Sequence, residues 1–179
     1  MTAKECIMGR RSIRSFTDQP VDHALIEDIV SEAAYSPSWK HTLITRFIAV
    51  EGDLKAKIAD EAFDAYPPNG DIVRKAPVLI AVTVIKNRSG FERDGSYSTD
   101  RGDGWQMFDA GIASQTFCLS AYSHGLGTVI LGIFDRAKTE TLLQLPEDRE
   151  LVCLIPLGYA DGEATAPKRK ETSVYISYQ

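Results

Sequence analysis

The 179 residues carry 20 Lys and Arg against 25 Asp and Glu, for a net charge of −5 and a pI near 5.2. That balance argues against a general nucleic-acid or anionic-membrane binder. Hydrophobic residues at 44% and charged residues at 25% suit one globular domain, 1–179, with a core of its own. Basic residues nevertheless gather at Arg10, Arg11 and Arg14 and again at Lys168, Arg169 and Lys170, two islands suited to a discrete anion such as a phosphate.

In chain order, residues 3–10 can form a short helix, and Ile13-Arg14-Ser15-Phe16 follows as an extended piece. Asp22 reads as an N-cap, with a helical stripe of Leu25, Ile26, Ile29, Val30, Ala33 and Ala34 behind it. Ser36-Pro37 stops that helix, because the residue before a proline is driven out of the α region. Residues 46–50 read as a strand, residues 53–65 as an amphipathic helix, and Pro67-Pro68-Asn69-Gly70 as a turn. Residues 77–84 read as a continuous buried strand.

Residues 86–104 are polar, contain glycine and lack periodicity; a loop of that length in a compact domain is usually functional or mobile. The stretch from Trp105 to Gly132 should be the hub. Trp105 to Tyr122 is apolar or small on almost every face, as for a helix surrounded by protein. Gln106, Asp109, Gln115 and His124 make it too polar to span a membrane. His124 then suits a helix C-terminus, and 128–132 reads as a buried strand. A helix is expected from Asp135 to Leu143 and a strand over 151–157, where Pro156 points to a sheet edge or a strand end. The alternation favours α/β architecture with helices on both faces of a sheet.

The common catalytic signatures are absent. There is no Walker lysine loop, HExxH, CxxC or GxSxG, and Gly125-Leu126-Gly127 lacks the third glycine of a dinucleotide fingerprint. His23, His41 and His124 lack metal-ligand spacing, so no metal site is expected, and His23 reads as a surface residue. Cys6, Cys118 and Cys153 read as reduced core thiols of a cytoplasmic protein, and Met1-Thr2-Ala3-Lys4-Glu5 has no apolar signal segment. Arg10, Ser12 and Arg14 alternate, so an extended backbone aims all three one way, well matched to a phosphate or a ring carbonyl. Equally, these arginines could complement the C-terminus of the first helix.

Arg10-x-Ser12-x-Arg14 resembles the N-terminal cofactor motif of the nitroreductase family, the FMN-dependent α+β flavoproteins. Tyr35-Ser36-Pro37-Ser38-Trp39-Lys40-His41-Thr42, followed by Arg46-Phe47-Ile48, is similar to a second family segment. Asp109-x-Gly111-x-Ala113-x-Gln115, then Gly125-Leu126-Gly127-Thr128 and Leu131-Gly132, resembles its central helix and flavin-backing strand. Leu157-Gly158-Tyr159 and Pro167-Lys168-Arg169-Lys170 resemble its closing strand and basic tail. The separate matches occur in the family's order over nearly the whole chain.

The resemblance implies a three-layer α/β/α fold of the α+β class, with a central mixed sheet flanked by helices. It implies FMN at a homodimer interface. Arg10, Arg11 and Ser12, with Lys168 or Arg169, would hold the phosphate and ribityl chain, and Arg14 would lie near the flavin N1 and C2 carbonyl. Pro37, Ser38, Trp39 and His41 would come from the second subunit, Asn69 would touch the ring, and Leu131 and Gly132 would back it. His41 and Leu43 depart from the family's usual Asn and Gln; Leu43 cannot replace the amide's side-chain hydrogen bond. The implied activity is ping-pong hydride transfer from NAD(P)H through flavin N5 to nitroaromatic, quinone or related acceptors. No catalytic side chain is required, because the flavin carries the chemistry. The 86–104 loop, with Phe91 and Tyr97, is the candidate acceptor lid. Alternatives are a dehydrogenase or reductive dehalogenase on the same scaffold, or a flavin storage or sensor protein.

Overall fold

The computed structural model describes all 179 residues. Helix α1 (Ala3–Gly9) opens with a capping box: the Thr2 hydroxyl accepts from the Glu5 N–H, and the Glu5 carboxylate accepts from the Thr2 N–H at 2.8 Å. Helix α2 (His23–Ala33) is capped by Asp22, whose carboxylate accepts from the Ala24 N–H at 3.0 Å, and it ends before Pro37 as the sequence predicts. Strand β1 (Thr45–Val50), helices α3 (Gly52–Glu61) and α4 (Pro67–Lys75), and strand β2 (Val78–Ile85) follow. The 20-residue helix α5 (Gly104–Ser123) leads to β3 (Gly127–Thr128), α6 (Arg136–Leu142) and β4 (Arg149–Gly158).

The sheet order is β1-β2-β4-β3 and every neighbouring pair is antiparallel. This meets the α+β expectation and corrects the α/β reading that alternation alone suggested. The one parallel pairing is the bridge between Ser12 and Thr128, which adds the N-terminal segment to the sheet's edge. Side chains alternate along β2. Val78, Ile80 and Val82 face α2 and α5, while Leu79 and Ala81 face α3 and α4. Two buried layers result, one on each face, so the run over 78–84 is apolar but for Thr83, which is buried with them.

Pro156 lies in the sheet interior rather than at its edge. The Leu154 N–H donates to Leu131 O on the β3 side, so residue 156, two positions on, turns its nitrogen to the same side. There the facing residues, Val129 and Ile130, make no pairing, and no ladder bond is lost. For the same reason the predicted strand over 128–132 shrinks to Gly127–Thr128 plus a bridge at Leu131.

Pro67-Pro68-Asn69-Gly70 is the first turn of a helix, not a loop turn. Proline is tolerated at the first helical positions, where its missing N–H would have no partner anyway. Gly70 permits close packing, since a Cβ there would lie 2.6 Å from the Ala59 carbonyl oxygen of α3. Helix α5 is the hub, touching α1, α2, β1, β2 and β3. It is not surrounded, however: Met107, Phe108, Gly111 and Gln115 leave one side bare within the chain. His124 caps its C-terminus as expected, and also meets Glu32 at 3.2 Å.

Candidate cofactor site

The extended segment 10–16 behaves as its alternation requires. Ser12 and Arg14 are exposed on one side, while Arg11, Ile13 and Ser15 turn the other way and are half-buried. The Ile13 N–H donates to Thr128 O at 2.9 Å, fixing the segment against β3. Gly127 makes that approach possible: a Cβ there would sit 2.6 Å from Ile13 Cγ1. Farther on, Phe16 bridges Ala160, and the Asp161 N–H donates to Ser15 O at 3.0 Å. These contacts bring the tail back over the N-terminal segment.

A cleft of about 330 Å³ results, lined by Arg10, Arg11, Ser12, Arg14, Thr165, Pro167 and Arg169. No carboxylate lines it, and none of its four arginines makes an ion pair. Arg10 Nε is buried with no partner. Guanidinium groups packed this closely repel one another unless an anion joins them. Donors, a hydroxyl and no competing acid form a set that fits a phosphate. Arg11 meets the helix-capping reading, since it donates to the carbonyls of Met8 (2.7 Å) and Arg10 (2.8 Å), and it borders the cleft together with Arg10 and Arg14. Arg169 is brought to the cleft and Lys168 is not among its lining residues.

From Thr128 the chain continues to Leu131 and Gly132. Leu131 is buried against Leu154, and Gly132 is exposed with its N–H free of any bond within the chain. Gly132 borders a cleft of about 370 Å³ with Ile133, Phe134 and Asp135. Asn69 stands behind it, buried, its Nδ2 donating to Ile133 O at 3.1 Å. In this chain Asn69 therefore holds the backbone beside Gly132.

Pro37, Ser38 and Trp39 lie elsewhere, against the first turns of α5, with His41 farther along the same turn. Pro37, Ser38 and Trp39 line a cleft of about 260 Å³ with Trp105, Phe108, Asp109 and Ile112. It shares no residue with the arginine cleft. The turn is strained, with positive φ at Lys40 (43°), His41 (57°) and Leu43 (48°). Leu43 lines a neighbouring cleft of about 380 Å³, and its N–H donates to Ser38 Oγ at 3.1 Å.

The 86–104 loop is bonded to this turn. Lys40 Nζ meets Glu92 Oε1 at 2.7 Å, and the Trp39 and Trp105 rings pack 4.5 Å apart. Trp105 Nε1 donates to Thr99, and Phe91 pairs with Tyr97. The three cysteines are buried and free, and burial pushes the Cys153 thiol up to about 11. They belong to the core, as the sequence predicts. No group of metal-ligating side chains is present.

One residue was not assigned a role from sequence: Asp109, a carboxylate only 3% exposed whose two oxygens accept the Trp39 N–H. Its signal was a lone acid inside an apolar helix, which burial has to compensate.

The model of the nitroreductase family matches residues 7–159. A Methanothermobacter thermautotrophicus protein provisionally named NADH dehydrogenase/NAD(P)H nitroreductase is 33% identical over 164 residues, covering 89% of this chain and 78% of the relative. A nitroreductase family protein from Clostridium novyi NT superposes with a TM-score of 0.77 at 29% identity, over 90% of this chain and 86% of that one. The FMN- and NADPH-dependent nitroreductase from sphigopyxis sp. strain HMH has the same fold, with a TM-score of 0.81 at 22% identity over 100% and 99% of the two chains. With the arginine cleft, the antiparallel sheet and the central helix in the order that this family model spans, the chain belongs to the nitroreductase family.

Proposed function

We propose that this protein is a cytoplasmic homodimeric oxidoreductase, a single FMN-binding domain that draws electrons from NAD(P)H and passes them by a ping-pong cycle to small oxidised acceptors such as nitroaromatics or quinones. The arginine cleft carries the reading: four guanidinium groups and a hydroxyl without an acid, in a chain of net charge −5, fit a phosphate far better than solvent. When bound, FMN supplies the two-electron chemistry that links a nicotinamide donor to an acceptor. The chain's part is to bind and orient. Arg10, Ser12 and Arg169 would hold the phosphate, with Arg11 anchoring the segment to α1. Arg14 would place positive charge beside the ring, where it favours an anionic reduced form. Leu131 and Gly132 would back the ring, and Asn69 keeps that backbone in place through Ile133.

The bare side of α5 supports the dimer. Phe108 is 58% exposed on a helix that is otherwise apolar or small, and Met107 beside it is exposed too. A second copy covering that side would bring its Pro37, Ser38, Trp39 and His41 to the cofactor. No helix is long and apolar enough to cross a membrane.

The test is an absorption spectrum of the protein as purified, followed by anaerobic NADH and NADPH. Flavin bands that bleach with either donor are expected, and Arg14→Ala should weaken FMN uptake about tenfold, the worth of one charge-assisted hydrogen bond. A colourless protein that takes up no FMN would refute the reading, and bound flavin that neither donor bleaches would replace it with storage or sensing.

A further inference from the structure

The turn that presents Trp39 and His41 is an unusual piece of backbone. Three non-glycine residues within four positions, Lys40, His41 and Leu43, adopt positive φ. Such backbone is unfavourable for a residue with a Cβ, so the turn survives only if its surroundings hold it. Inside the turn the His41 N–H donates to Ser38 O at 3.1 Å and the Thr42 N–H to Trp39 O at 2.8 Å, and side chains add further restraints. Ser38 Oγ takes the Leu43 N–H across the turn, Glu92 takes Lys40 Nζ from the loop, and Trp105 packs on the Trp39 ring. Two of these are weak, because the Lys40–Glu92 pair is exposed and the Ser38 bond lies at the surface.

A further restraint, from α5, is different. Asp109 projects from α5 and accepts the Trp39 N–H with both carboxylate oxygens, at 3.0 and 3.1 Å. It is 3% exposed and makes no ion pair. A buried carboxylate with one backbone donor pays a desolvation cost that an amide or an alkyl chain would not. The bond it makes in return is charge-assisted and stronger than a neutral one. Asp109 also borders both clefts that flank the turn, about 380 and 260 Å³.

We propose that Asp109 is a positioning residue: its carboxylate holds the strained 38–43 turn in the shape that brings Trp39 and His41 to the cofactor. The consequence for the cofactor rests on the function proposed above; the grip on the turn does not. Asp109 touches no reacting group and acts only through the turn. Asn at this position still offers an oxygen to the Trp39 N–H, whereas Ala offers none.

The experiment compares wild type, Asp109→Asn and Asp109→Ala as full chains, without and with added FMN. Amide exchange by NMR at Trp39 and Leu43 reads the grip, and FMN titration reads its consequence. In Asp109→Ala, protection at these two amides should fall about tenfold or more, while β2 and β4 amides stay protected. FMN affinity should fall by a similar factor, and Asp109→Asn should recover most of both. Unchanged protection at Trp39 in Asp109→Ala would overturn the proposal, as would a uniform loss across the sheet, which marks a core residue. If wild type binds no FMN, the function fails and the exchange result still decides the grip. If FMN binds equally well to a variant whose turn has loosened, the cofactor consequence is wrong.

Discussion

Gly127→Ala should damage the cofactor cleft from behind. The added Cβ would lie 2.6 Å from Ile13 Cγ1, 2.8 Å from its Cβ and 3.0 Å from its Cγ2. Rotating Ile13 cannot relieve the contact with its own Cβ, so the backbone of the 10–16 segment must retreat. Carbon–carbon contact needs about 3.6 Å, which calls for a shift of roughly 1 Å. The Ile13 N–H bond to Thr128, 2.9 Å in the native protein, then stretches beyond useful length. Overpacking costs about 1–3 kcal/mol and the lost bond about 1 kcal/mol more. In a chain of this size that is a fall in Tm on the order of 5–15 °C. Because Ser12 and Arg14 ride on the displaced segment, FMN affinity should fall with it. Circular dichroism melting of the flavin-free protein and fluorescence titration with FMN measure the two effects. Gly132→Ala is the control, since a Cβ there meets nothing within 4 Å and should leave Tm unchanged. A Gly127→Ala protein with native Tm and native FMN affinity would refute the argument, as would equal loss of Tm in both variants.

The Glu32 carboxylate is held below its ordinary range by the Ser120 hydroxyl at 2.6 Å and then by His124. A depressed acid stabilises the fold above its unfolded pKa and ceases to do so as pH falls through the folded value. Glu32→Gln should therefore lower stability slightly at pH 7, by under about 1 kcal/mol for this half-exposed group, and match wild type below the carboxylate range; a gap that persists in acid would contradict this. Burial pushes Cys153 up to about 11 and Cys118 upward as well, so at pH 8 neither thiol should react with a disulfide reagent until denaturant is added. Rapid labelling of either residue in the native protein would contradict the packing around them.

Much of this was legible in the residues. The alternation of Arg10, Ser12 and Arg14 specified a cleft-facing set, and strand β2 announced its double burial by having no polar face. Helix α5 was readable in length and in its place at the centre. What the sequence misassigned depended on neighbours distant along the chain. Pro67-Pro68 looks like a turn until α3 is seen to lie against Gly70. Pro156 looks like an edge until Val129 and Ile130 are seen to leave its missing donor unneeded. The α/β reading failed because alternation does not fix strand direction. The bare side of α5 was invisible for a simpler reason: an apolar helix reads the same whether its own chain or another copy covers it.

The tail's return over residues 12–16 has a temporal consequence. Ser12 waits for Thr128, Phe16 for Ala160 and Ser15 for Asp161, all far downstream. On a ribosome the first arginines emerge long before any of these partners exist, and by sequence separation theirs are among the slowest contacts to form. The arginine cleft is thus completed late in synthesis. A nascent or internally misfolded chain carries the motif without the cleft, which forms only when the distant segments have met.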